Sequence, residues 1–99
     1  MAGNTVRIGD SVSCGDHSAA GSNNVFANGL PITHNGRKKT TGHGCFPSTV
    51  FAGGWSHTVF VNNQVVALLG VTKIVPHGCG GKPHSGVASS ASPDVYIET

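Results

Sequence analysis

Gly21-Ser22-Asn23-Asn24-Val25-Phe26-Ala27-Asn28-Gly29 decides how this chain is read, because it comes back. Trp55-Ser56-His57-Thr58-Val59-Phe60-Val61-Asn62-Asn63 repeats its order of small, polar, β-branched and aromatic residues. Ala91-Ser92-Pro93-Asp94-Val95-Tyr96-Ile97 is a shortened third copy. Val25 and Val59 stand 34 residues apart, and Val59 and Val95 stand 36 apart. A nearly constant period of this size marks repeated supersecondary units that bury their apolar faces against one another. The units cover approximately residues 9–34, 36–69 and 70–99 of a single 99-residue domain.

Within each unit the signature reads as a short strand, at 24–27, 58–61 and 94–97. Asn28-Gly29 then predicts a type I′ hairpin turn, since both central residues of that turn need positive φ. Asn62-Asn63 can serve the same purpose. Return strands are expected at 30–34 and 64–69. The third unit ends without one. Residues 6–10 look like the return strand of a missing preceding unit, so the N-terminal strand is expected to complete the C-terminal hairpin and leave few free edges.

Composition agrees with an all-β fold. Fifteen Gly and five Pro punctuate the chain, and no window carries a clean helical apolar period. Core material is thin, with twelve Val, four Ile, three Leu, four Phe and one Trp, so a metal or covalent staple is expected. The net charge of +2 is too weak for a nucleic-acid partner, and Arg37-Lys38-Lys39 reads as a solvated turn. Only ten charged residues are present, which points to a surface partly covered by a partner. Residues 1–7 lack an apolar core, so no cleaved signal is expected, and Val65-Val66-Ala67-Leu68-Leu69 is too short to span a bilayer. Three cysteines without a signal peptide read as reduced thiols or metal ligands rather than disulfides.

Each unit also delivers soft ligands just before its signature: Cys14 and His17, then His43 and Cys45, then His77, Cys79 and His84. Zinc accepts Cys sulfur and His nitrogen, and four such groups in a tetrahedron make a closed structural site. Gly15, Gly42, Gly44, Gly78, Gly80 and Gly81 flank the candidates and would let tight loops converge on one ion. Recurrence in step with the repeats points to one metal on a pseudo-threefold axis. His34 and His57 fall on strand segments away from these loops. Phe26, Phe60 and Tyr96 repeat in register, as core positions or as a docking surface would, and Trp55 reads as packing or a base contact.

Gly9-Asp10, Cys14-Gly15, the signature at 21–29 with Pro31, the second copy at 56–62 and Cys79-Gly80-Gly81 together resemble the PAAR-repeat proteins over essentially the whole chain. The resemblance implies a small cone of short β-hairpins from three pseudo-symmetric repeats. It implies one zinc ion near the vertex, held by three His and one Cys. It also implies a blunt base that docks on a trimeric β-helical spike in a phage tail or a type VI secretion machine. The expected ligand set is His17, His43, Cys79 and His84, with Cys14 the rival of His17 and His77 the rival of Cys79; Cys45 fits a buried thiol as well as a ligand. Iron is compatible with the same donors.

On this reading the chain is a non-enzymatic tip, assembled in the bacterial cytoplasm, that sharpens the spike against a target cell envelope. A zinc-stabilised protein-interaction module unrelated to spikes is the alternative. A zinc hydrolase would need an open metal position and a nearby carboxylate base. Glu98 is the only Glu, and Asp16 beside His17 is the sole candidate base.

Overall fold

The structure, a computed structural model, describes residues 2–79 and 82–98. It is all-β, with no helix among the described residues. Eight strands of two or three residues follow in order: β1 (Ala2–Asn4), β2 (Phe26–Ala27), β3 (Leu30–Pro31), β4 (Phe60–Val61), β5 (Gln64–Val65), β6 (His77–Cys79), β7 (Lys82–His84) and β8 (Tyr96–Glu98). They form four antiparallel pairs: β1–β8, β2–β3, β4–β5 and β6–β7.

The two Asn turns build the first hairpins. Asn28 and Gly29 have φ of 54° and 77°, and Asn62 and Asn63 have φ of 52° and 65°, so both are turns with two left-handed central residues. Asn tolerates this conformation better than other side-chain-bearing residues because its amide can hydrogen-bond locally. In β2 and β4 the first residue faces out and the second is buried, the period-2 pattern of a half-buried strand.

The third hairpin joins the chain ends, but at a register different from the expected one. β8 pairs with β1, Gly3 opposite Ile97, rather than with residues 6–10. Residues 6–10 lie past the end of that strand pair. The expected long return strands 30–34 and 64–69 likewise shorten to two-residue ladders. Beyond them the backbone leaves its own hairpin and bonds to segments distant in sequence. Val6 donates to the Ala67 carbonyl at 3.1 Å, Ala67 to Thr33 at 3.1 Å and Thr33 back to Val6 at 2.9 Å, a closed ring of three backbone hydrogen bonds. Val6, Thr33 and Ala67 are fully buried. A second set runs alongside: Ile8 to Pro31, Asn35 to Val65 and Leu69 to Asn4, each at 2.9 Å. A buried backbone amide must find a partner, and here the partner lies on a segment distant in sequence.

Serine turns repeat the same local chemistry. The Ser22, Ser56 and Ser92 hydroxyls each accept from the amides two and three residues ahead. Asn62 reaches Ser22 at 2.5 Å and Asn24 at 2.8 Å, while Asn28 reaches Ser92 at 2.5 Å and Asp94 at 2.8 Å. Both Asn turns thus button onto a serine turn distant in sequence.

Two apolar clusters fill the interior. Ala27, Ile32, Val61, Val66 and Leu68 pack beneath the hairpins, flanked by Val25, Val59, Val95 and Ile97. Val6, Val12, Phe51, Ala67, Ile74 and Ala88 form the second, with Trp55 and Cys14 against it. Trp55 is therefore a packing residue. Past Cys14 the apolar interior stops: among the described residues of 41–49 and 75–86, only His77 is buried.

Candidate metal centre

Cys14, His43, His77 and His84 converge at that end, each offering a ligand atom within 4.8 Å of every other. Donors bound tetrahedrally to one first-row ion stand roughly 3.3–3.8 Å apart, so the group could hold a metal ion with small adjustments.

Four local structures bring these residues together. Cys14 sits on a tight reversal in which the Val12 amide donates to Asp16 at 2.7 Å and the Gly15 amide to Val12 at 2.9 Å. His43 opens a two-residue turn, exchanging backbone hydrogen bonds of 3.0 and 2.8 Å with Phe46. Gly42, at φ 75°, precedes it; a Cβ there would stand 2.8 Å from the Phe46 carbonyl oxygen, so only glycine fits. His77 on β6 and His84 on β7 are direct cross-strand partners. Their Nε2 atoms lie 2.8 Å apart, and Cys14 Sγ lies 4.0 Å from His77 Nε2.

The surroundings select which ring nitrogen faces the centre. His77 Nδ1 lies 2.7 Å from the Pro47 carbonyl oxygen, which can only accept, so Nδ1 carries the proton and Nε2 is free to ligate. His43 Nδ1 is bound to the Asp16 carboxylate, which also accepts from the Gly42 amide at 3.3 Å. The same carboxylate lies 3.9 Å from His77 Nδ1. Asp16 is fully buried. Burial works to raise its carboxyl, but hydrogen bonds from Thr40 and His43 and the positive potential of His77 and His43 outweigh this and hold it below the usual range. A buried carboxylate behind a ligand imidazole is the usual way an outer shell fixes ring orientation. Together with a Cys14 thiolate it would balance a divalent ion. Desolvation, with help from His77 and His43, lowers the His84 imidazole, which favours the neutral form a metal needs.

Phe46 stacks on His84 with ring centroids 3.8 Å apart and planes at 11°. It also lies against His43 at 4.9 Å and His77 at 5.1 Å. One aromatic side chain thus covers three imidazoles.

Two members of the expected set, His43 and His84, are in this group. His17 is not. Successive residues of an extended segment point opposite ways, and Asp16 takes the inward direction, leaving His17 exposed with its backbone tied to Thr41. Cys79 is not a member either. It is disulfide-bonded to Cys45, with Cα atoms 5.6 Å apart, and Cys14 is the free cysteine. The expectation of reduced thiols or ligands at these two positions is corrected accordingly. Cys14 and His77 take the vacated places, and His34 and His57 stay outside. A signal for this was present: His43-Gly44-Cys45 recurs as His77-Gly78-Cys79 at a spacing of 34, and the two cysteines meet each other while their histidines meet in the group that could hold a metal ion. Nothing in the sequence marked Asp16 or Phe46 as partners of the rings.

The chain matches no known protein family, no characterised protein and no solved structure at a significant level.

Proposed function

We propose that the protein is a structural, zinc-clamped cap that seats as a monomer on the end of a threefold β-structured partner. The resemblance to PAAR-repeat proteins names that partner: the trimeric β-helical spike of a contractile phage tail or a type VI secretion machine. The observation that carries the proposal is the closed hydrogen-bond ring of Val6, Thr33 and Ala67, one residue from each of three like segments. One chain with three like segments around an axis can meet three identical chains without a symmetry mismatch.

Other features support the same reading. Phe26, Phe60 and Tyr96 hold like positions in three hairpins and are 54%, 58% and 57% exposed. Exposed aromatics repeated this way fit the anchors of an interface. The molecule measures 38 × 24 × 23 Å, one long and two nearly equal short dimensions, which suits a cone on a spike axis. Three His and one Cys suit zinc, or iron, in a closed centre. Four protein ligands leave no position for a reacting water, and Asp16 is turned to His43, so the centre is read as structural rather than hydrolytic. A metal there ties loops together where apolar packing has run out. The mechanism is mechanical: a contracting sheath drives the spike, and the cap concentrates force on the target envelope.

Native mass spectrometry of the zinc-loaded chain mixed with a trimeric β-helical spike tests this. One cap per trimer is expected, and Phe26→Ser/Phe60→Ser/Tyr96→Ser should abolish the complex while keeping the fold and the metal. Three caps per trimer, or full binding by the folded triple variant, would defeat the proposal.

A further inference from the structure

We propose that Cys45 and Cys79 are a redox-controlled brace on the metal centre: closed as a disulfide, they slow release of the ion, and opened as two thiols, they allow it. This rests on the metal reading of Cys14, His43, His77 and His84 and not on the docking reading.

Placement carries the inference. Each cysteine lies two residues beyond a ligand histidine, Cys45 after His43 and Cys79 after His77. The bond therefore joins the turn that presents His43 to the strand that, with β7, presents His77 and His84. Little else joins them. His77 reaches the Pro47 carbonyl, Thr49 Oγ1 donates to the Val75 carbonyl at 3.0 Å, and Phe46 stacks on the rings. No buried apolar side chain lies among the described residues of either segment. A link close to the ligands but not among them can hold the ligand atoms near their bound positions without changing the donor set. Pre-organisation of that kind strengthens binding by removing the ordering cost.

The bond is also reachable. Cys45 is exposed and Cys79 half-exposed, so a small thiol or disulfide can approach. The oxidant required is of the small-molecule disulfide class, such as oxidised glutathione. One cysteine thiolate displaces one thiol from it and forms a mixed disulfide. The second cysteine thiolate then attacks the protein sulfur and releases the other thiol. The two protons given up by the cysteines end on the two released thiols. A glutathione-reduced interior favours the open brace and an oxidising exterior the closed one. The centre would thus load while its loops are free and lock on oxidation.

Zinc release decides the matter. Zinc-loaded wild type is divided, one portion equilibrated with oxidised glutathione and the other with a phosphine reductant. After denaturation and metal removal, the oxidised portion should show one free thiol and the reduced portion all three. Transfer of zinc to an excess of a chromogenic chelator should be at least about tenfold slower from the oxidised portion. Cys45→Ser should bind one zinc and release it at the faster rate in both conditions. Equal release rates from the two wild-type portions overturn the brace, as do three free thiols after oxidation. Loss of zinc from Cys45→Ser in the reductant also overturns it, since Cys45 would then be a ligand. Absence of zinc from both wild-type portions overturns the metal reading and the brace together, an outcome distinct from equal release. The wild-type comparison stands without the variant should Cys45→Ser fail to fold.

Discussion

Beneath the hairpins, Ala27, Ile32, Val61, Val66 and Leu68 are buried together, and the backbone amides of Val6, Thr33 and Ala67, distant in sequence, satisfy one another in a closed ring. At the other end, residues 41–49 and 75–86 contribute a single buried side chain among those described, His77, and the loops meet through imidazoles, a thiol, a carboxylate and a disulfide. The first end is stabilised in proportion to the apolar area it removes from water. The second has too little volume for that. Where segments converge, a few strong directional contacts among imidazoles, a thiol, a carboxylate and a disulfide replace a core, and groups of those types respond to metal, redox state and protonation. One end should therefore be robust to solution conditions and the other sensitive to them.

The largest expected effect comes from removing the metal. Structural zinc sites carry on the order of 10 kcal/mol of binding free energy, which becomes folding free energy. Chelation of the loaded protein should lower its Tm and strip amide-exchange protection from the His43 and Phe46 amides and from β6–β7. The Val6, Thr33 and Ala67 amides should keep theirs. Equal loss in both regions would show that the two ends are one cooperative unit and would break the comparison.

Leu68→Ala attacks the other end. Leu68 is fully buried in the hairpin cluster. Its truncation should cost about 2–5 kcal/mol in chemical denaturation. Zinc affinity of the folded variant should be unchanged. A drop in affinity comparable to the loss of stability would mean that packing beneath the hairpins positions the ligands.

Asp16→Asn sharpens the role of the outer shell. Loss of the carboxylate behind His43 should weaken zinc binding about 10–100-fold in chelator competition. ¹⁵N chemical shifts of His43 should report a changed tautomer balance. An unchanged affinity would leave Asp16 as a packing residue alone.

The Arg7–Asp10 pair, 3.0 Å apart, belongs to the metal-independent side of the comparison. Burial raises the Asp10 carboxyl, but hydrogen bonds from the Arg7 side chain and backbone and from Ser90, with the Arg7 charge, bring it below its ordinary value. Its contribution is therefore fully present above the unfolded carboxylate value of about 3.9 and is lost as pH falls through the lower folded value. Asp10→Asn should cost about 1–3 kcal/mol at pH 7, and the cost should shrink as pH falls through the folded value, measured by urea denaturation of metal-free protein. A cost that did not shrink at any pH below the unfolded carboxylate value would assign the effect to shape rather than charge.

The smallest effect is expected at Asn63, whose φ of 65° suits glycine. Asn63→Gly should raise stability by up to about 1 kcal/mol with no change in zinc release. Destabilisation would mean that the Asn63 side chain stabilises the turn more than its backbone strain costs.

Local order carried much of the fold into the sequence. The period of the Val-Phe signature, the Asn28-Gly29 turn and the joining of the chain ends could all be read, because turn chemistry and strand alternation act over a few residues. The register of β1 could not. Thr5, Val6 and Arg7 alternate as acceptably as Ala2, Gly3 and Asn4, and the choice depends on which amides the other units can satisfy. The site was half legible. His43 stood out by residue type and its flanking glycines, and His84 by residue type and its place in step with the repeats. The exchange of His17 for Cys14, and of Cys79 for His77, turned on direction.

By itself, the sequence determined the all-β class, the three like segments and the supply of His and Cys at one end of each, since these follow from composition and period. Tertiary structure alone decided which donors meet. Asp16 takes the buried side of its turn and sends His17 outward. Cys45 and Cys79 pair with each other, and the group that could hold a metal ion is Cys14 with three histidines. Spacing along a chain states which residues arrive at a place, but the direction of each side chain there is settled by the packing of segments distant in sequence.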